Sequence, residues 1–248
     1  MWEKHVSIGT NTLTSLKFLT IFSETADVAV SAYRRLLASI RRDKPEHGPV
    51  HTTNLSGLSY VRSFNAFEAG FIAFAAALNV TVGYLVSAFK LPLYLDSIGT
   101  VLVSVLFGGV YGVATGLTGL VVLALTTTPT VIAYAGTAVV IAVTTAVMRR
   151  AGFLKNWPMT IIGGIVVGIV AAAASIPVTT MLYGGVSLAG SDALTTLFKT
   201  AGLPLWQSVM YGSLVTDIID KIATSLLCFI LIKSFPARTK RRFPALRD

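Results

Sequence analysis

The sequence predicts an all-α integral membrane protein with six transmembrane helices and both termini in the cytoplasm. Three observations predict it. Only 12% of the 248 residues are charged, about half the density that a soluble surface needs, roughly 25%. The mean hydropathy is +0.73, and the apolar runs are roughly 18–25 residues long, the length that crosses a bilayer as a helix. The runs are continuous, without the alternating ten-residue pattern of a membrane barrel. A backbone in hydrocarbon must satisfy its own polar groups, so each run is expected to be helical.

Residues 1–65 differ from the rest. They carry Lys4, Lys17, Arg34, Arg35, Arg41, Arg42, Lys44 and Arg62 and no long apolar run. They read as a basic cytoplasmic extension, partly disordered, with an amphipathic surface helix over 13–40. No apolar stretch before a small-residue cleavage site marks a secretory signal. A membrane domain over 66–235 follows, then a basic cytoplasmic tail over 236–248.

The first predicted span runs from Ala66 to Phe89 and is broken by Lys90-Leu91-Pro92, since proline lacks a donor and disfavours helix before it. The second, Leu93 to Phe107, is short. Gly108-Gly109 turns the chain into the third, Val110 to Leu125. Thr126-Thr127-Thr128-Pro129 is a loop. The fourth, Thr130 to Met148, stops at Arg149-Arg150. Lys155-Asn156-Trp157-Pro158 leads into the fifth, Met159 to Leu182. A loop over 183–204 is expected to hold a short helix at 192–200. The sixth span runs from Leu205 to Ile232.

Lys and Arg mark the cytoplasmic side. They concentrate in the first 65 residues, after the fourth span and in the tail. The loops after spans one, three and five hold only Lys90 and Lys199. An even number of crossings puts both basic ends on one side, which agrees with six. The formal charge of +9 therefore reads as a topology signal beside anionic headgroups, with no nucleic-acid partner implied. Cys228 is the single cysteine, and His5, His47 and His51 all precede the membrane domain. No disulfide within the chain, no multi-cysteine metal site and no histidine-based centre in the membrane body can form. No metal and no cofactor is expected.

Several residues carry chemistry. Asp217, Asp220 and Lys221 lie near the middle of the last span, where an unpaired charge costs at least roughly 2.5–3.5 kcal/mol. Asp217 and Lys221 are four apart, on one face, acid before base. They form either a structural pair or a substrate or ion contact. Asp220 points elsewhere and needs its own partner, Asn79 or a hydroxyl. Asp96 follows Pro92 and Tyr94 near the outer boundary, where it either recognises a cationic or hydroxylated ligand or caps a broken helix end. Asn79, Tyr84, Trp206 and Gln207 are further polar or aromatic candidates, although Trp206 also suits an interfacial anchor. Ala69, Ala73 and Ala77 form a small-residue stripe that another helix can approach closely, either within the bundle or from a partner. Gly112/Gly116 and Gly164/Gly168 have the same spacing and are expected to pack internally. No phosphate loop, H-E-x-x-H or G-x-S-x-G is present.

Three segments together resemble the substrate-specific (S) components of energy-coupling factor (ECF) importers. They are Ala77-Leu78-Asn79-Val80 through Leu91-Pro92-Leu93-Tyr94-Leu95-Asp96-Ser97-Ile98-Gly99-Thr100, then Gly184-Gly185-Val186 leading to Ser191-Asp192-Ala193-Leu194, and Asp217-Ile218-Ile219-Asp220-Lys221. The resemblance covers about residues 66–235. It implies a non-enzymatic binding subunit that captures a vitamin-type small molecule outside the cell. It implies an outward site closed by the loops after spans one, three and five, with Thr128 and Tyr183 in those loops and Tyr94 at the start of span two as candidate contacts. It also implies that Ala69, Ala73 and Ala77 dock on a membrane coupling subunit served by two cytosolic ATPases, and that the loaded subunit topples in the bacterial plasma membrane to release its cargo inside. The long basic N-terminal segment departs from the family. Two other classes stay open. One is a membrane sensor, which would need a soluble output domain. The other is an integral membrane enzyme, which would need clustered acidic metal ligands at the membrane surface.

Overall fold

The computed structural model describes residues 66–89, 91–127, 129–186, 192–240 and 243. The extension over 1–65, with its expected helix at 13–40, and Thr128 lie outside them. The described residues are helical, with no strand among them. The helices are α1 (Ala66–Ala88), α2 (Ile98–Leu106), α3 (Gly109–Thr126), α4 (Ala135–Arg150), α5 (Trp157–Tyr183), α6 (Asp192–Thr200), α7 (Leu205–Ser234) and a last turn, α8 (Ala237–Lys240). A 3-10 turn over Pro129–Tyr134 leads into α4.

Four segments are long and apolar enough to cross a membrane: Ala66–Ala88, Gly109–Thr126, Pro129–Arg150 and Trp157–Tyr183. Their outward faces carry Phe74, Leu85, Leu125, Ile162 and Ile169, all exposed. An apolar exterior of this extent belongs against lipid rather than water, and the chain is a multi-pass membrane protein. α7 is 30 residues long, about 45 Å. Its length suffices for a hydrocarbon core of about 30 Å, and only Asp217, Asp220 and Lys221 set it apart from the four.

The second expected span is corrected. Helix exists only over the nine residues Ile98–Leu106, about 13 Å, and 93–97 is irregular. The cause is local. Pro92 withholds a donor, Leu95 takes a left-handed conformation at φ 47°, and a side chain of α7 captures the backbone N–H groups that would have begun a helix. All nine residues of α2 are buried. It packs against α1, α3, α4 and α7, so it is the centre of the bundle.

Small residues let the helices approach. A side chain at Gly99 would run into the Ala75 carbonyl of α1. Asn79 fastens this crossing: its Oδ1 accepts from the Gly99 N–H at 2.6 Å and its Nδ2 donates to Thr100 Oγ1 at 2.9 Å. Gly112 and Gly116 of α3 sit against Ser104 and Thr100 of α2. Gly164 and Gly168 of α5 lie on the α7 backbone, where an added Cβ would come within 2.9 Å of Ile222 Cα and 2.6 Å of Ile218 Cα. Both glycine pairs thus pack internally, as expected from their spacing. Around α2 the core is Ile98, Val101, Leu102, Val105, Ile141, Val167 and Cys228.

The remaining boundaries follow local signals. Asn156 caps α5 by accepting from the Met159 N–H at 3.0 Å, with proline in the first turn. Gly184 ends it at φ 58°, the left-handed stop that glycine adopts without strain. α6 stands where the loop helix was expected. At the other end of the bundle, Phe243 of the tail is buried among Phe67, Phe71 and Phe107.

Candidate functional site

α7 brings three ionisable side chains into the protein interior: Asp217, Asp220 and Lys221 are 5%, 0% and 2% exposed. The expected pairing of Asp217 with Lys221 is replaced by another. Lys221 Nζ donates to Asp220 Oδ2, its neighbour in sequence. The long lysine stem can curl back to the adjacent residue, so a shared helical face did not decide the partner. Asp217 Oδ2 accepts from Ser175 Oγ of α5 at 3.2 Å. Its charge still acts on Lys221, so the two remain in one electrostatic cluster.

Asp220 does more than neutralise the lysine. Its Oδ1 accepts from the backbone N–H of Tyr94 at 2.9 Å and of Leu95 at 2.6 Å. Asn79 and a hydroxyl, the partners expected for Asp220, are not its partners; Asn79 is committed to α2. The carboxylate therefore holds the irregular 91–97 segment against α7, more than 120 residues away in sequence. Irregular backbone at membrane depth is tolerated where protein satisfies it or where it lines a cavity, and Asp220 supplies the first condition.

The same segment delivers Asp96 to the cluster. Asp96 is exposed, yet Lys221 and Asp220 act on it electrostatically. It packs near α1 as well: a Cβ at Gly83 would come within 3.3 Å of Asp96 Cβ. Asp96, Asp217, Asp220 and Lys221 thus form one electrostatic cluster, to which the Tyr94 backbone is bonded through Asp220. Three carboxylates face one ammonium.

The aromatic candidates gather elsewhere. Tyr183 Oη donates to Thr130 Oγ1 at 3.1 Å and its ring stacks on Tyr134, centroids 5.7 Å apart. Tyr134 Oη lies 3.0 Å from Thr179 Oγ1. Tyr84 Oη donates to Thr126 Oγ1 at 2.9 Å, joining the ends of α1 and α3. These bonds join α1 to α3 and, separately, the 3-10 turn to α5. Trp206 and Gln207 are exposed at the start of α7, about 16 Å along the helix from Asp217, and are not brought to the charged cluster. Ala69, Ala73 and Ala77 are all exposed on α1, while Ile72, Ala75, Ala76 and Asn79 face inward. The stripe is thus not used for packing among the described residues.

Ser175, Tyr134 and Thr179 were not foreseen. Single hydroxyls in apolar runs carry no spacing signal, and only the packing of α5 on α7 makes Ser175 a neighbour of Asp217. Comparison of the chain with protein-family models, with curated proteins and with solved structures returned no match.

Proposed function

We propose that this protein is the substrate-binding membrane subunit of an ECF-type importer, capturing a vitamin-type small molecule from outside without catalysis of its own. The observation that carries the reading is the charged cluster at the broken segment before α2, where exposed Asp96 is electrostatically coupled to buried Asp217, Asp220 and Lys221. Ionisable groups inside a membrane bundle are costly and mark ligand or ion pathways by default. A non-helical segment followed by a half-length helix is a binding-site arrangement that recurs in transporters.

The exposed Ala69, Ala73 and Ala77 stripe favours a partner helix. Its flatness allows close backbone approach, the main source of helix association in lipid. On this reading the partner is a membrane coupling subunit, and two cytosolic ATPases supply the energy. The chain crosses six times, with α2 and its preceding segment forming one crossing and α7 the last. Both basic ends are cytoplasmic in the bacterial plasma membrane, and the loaded subunit topples to deliver its cargo.

The test is co-expression of the full chain with a coupling subunit and its two ATPases, followed by affinity purification and uptake in vesicles. Co-purification, with uptake that requires partner ATP hydrolysis, is the expected result. Uptake by the purified chain alone, or a tail beyond Lys233 labelled from outside the cell, overturns the reading.

A further inference from the structure

We propose that the seam between the start of α5 and the end of α7 binds the headgroup of an anionic phospholipid. The inference rests on the chain being a multi-pass membrane protein and is independent of the importer reading.

Three chain segments bring cations to one end of the bundle. α4 ends on Arg150, Lys155 lies in the turn that follows, and Lys233 is in the last turn of α7, with Arg238 just beyond in α8. All four are exposed. Buried rings hold these segments together. Phe153 of the 151–156 turn is buried in the same core as Ile232, with Phe235 packed against it. Phe229 of α7 is buried as well. The Trp157 ring meets it edge-on, centroids 4.8 Å apart, and Lys233 Nζ lies 4.8 Å from the centroid of the same ring. Lys155 stands two residues before Trp157. The chain after α7 folds back too: Lys240 Nζ donates to the Lys233 carbonyl oxygen at 3.3 Å. Sidedness alone requires only that basic residues lie on one side of the membrane. It does not require that they be fixed around a common aromatic anchor.

These cations have no counter-charge of their own. Among the described residues no carboxylate pairs with Arg150, Lys155, Lys233 or Arg238. Asp96, Asp217 and Asp220 form the cluster around Lys221, Asp192 opens α6, and Glu68 at the start of α1 is buried. Cations gathered in this way repel one another and attract an anion from the surroundings.

The neighbouring apolar surface decides which anion. Trp157 is half-exposed at the head of α5, and an indole ring prefers the boundary between headgroups and acyl chains. Beyond it exposed Met159 and Ile162 continue along α5, and exposed Leu227 and Ile230 lie along α7. Cations at helix ends, above an apolar wall, match a molecule with a phosphate at one end and hydrocarbon at the other. Basic residues at the end of a membrane helix each add to the attraction for such a lipid. An acidic protein segment would use the charge and leave the wall unused.

The experiment uses the full chain purified in detergent. Native mass spectrometry counts bound phosphatidylglycerol and phosphatidylcholine of the same acyl chains, added together at equal concentration. The expected result is preferential retention of phosphatidylglycerol, with the preference reduced about tenfold in Lys155→Gln/Lys233→Gln. Lys155→Arg/Lys233→Arg keeps the charge and should keep the preference. Arg41→Gln/Arg42→Gln removes the same charge far away in sequence and should keep it too. Equal retention of the two lipids by the wild type overturns the proposal, as does displacement of phosphatidylglycerol by a polyglutamate peptide at equal concentration. A preference that Lys155→Gln/Lys233→Gln keeps in full, or that Arg41→Gln/Arg42→Gln loses to the same degree, overturns this seam as the site. Both lysines are exposed, so the lipid-free Tm of Lys155→Gln/Lys233→Gln should match that of the wild type; a fall in it assigns them to the fold and counts against the proposal.

Discussion

Lys221 bonds to Asp220, the residue beside it, and not to Asp217 one turn away. The choice has a structural reason, because Asp220 also accepts from Tyr94 and Leu95. One carboxylate thus joins a buried ammonium on α7 to the irregular segment that precedes α2. Removing one partner of a buried ion pair costs about 3–5 kcal/mol. Asp220→Asn should therefore lower thermal stability in detergent far more than Asp217→Asn, which loses one hydroxyl contact worth about 1–3 kcal/mol. Equal losses would mean that Asp220 does not tie the segment to α7.

The double variant Asp220→Leu/Lys221→Met sharpens the point. Replacing a buried pair with apolar residues of similar size is often neutral or stabilising. In this bundle the Tyr94 and Leu95 N–H groups would lose their acceptor. Recovery should be partial, and amide exchange at 94 and 95 should rise above that of the wild type. Full recovery with unchanged exchange at both amides would contradict the bridging geometry.

Gly168 lies where α5 meets the α7 backbone. A Cβ there would stand 2.6 Å from Ile218 Cα, against backbone that cannot swing aside. Gly168→Ala should destabilise by about 1–3 kcal/mol through overpacking. Gly70, on the exposed side of α1 with nothing within 4 Å of an added Cβ, should accept alanine with no loss. Thermal unfolding of the two variants in parallel checks both.

Ala73→Leu places a larger apolar side chain on an exposed position of α1. Its effect on the isolated chain should stay within about 0.5 kcal/mol, as for other surface changes. Co-purification with the coupling subunit should fall sharply. A variant that unfolds, or one that keeps its partner at full yield, counts against the stripe as a docking face.

Cys228 is buried, its sulfur 3.5 Å from the Ile98 carbonyl oxygen. A membrane-impermeant maleimide should leave the wild-type chain unlabelled. A cysteine placed at exposed Thr130 should react from outside in intact cells and one at exposed Lys155 only after permeabilisation. The reverse pattern would invert the topology.

The sequence was most legible where lipid imposes one solution. α1, α3, α5 and the loop helix α6 fall close to the predicted ranges, because long apolar runs must be helical and Pro92, Gly108, Pro129 and Gly184 punctuate them. α2 was misjudged for a physical reason. Hydropathy counts apolar residues, and Leu93 and Leu95 are apolar, but what denies them a helix is a carboxylate more than 120 positions later. The charged residues of the candidate site were visible as anomalies in an apolar span. Their pairing was not, since periodicity fixes which face a side chain leaves and not how far a flexible stem bends. The glycines of α3 and α5 face in as expected, but spacing could not tell that the alanine stripe faces outward.

α2 has protein on all sides. The medium in which this short helix dissolves is the rest of its own chain, and the surrounding helices form a sleeve between it and the acyl tails. Its composition is thereby released from the demands of hydrocarbon, which is why Thr100 and Ser104 sit in its middle. It is bound instead by the demands of fit, as in the interior of a water-soluble enzyme. Thinning or thickening the bilayer should reach α2 only through the tilt of its neighbours.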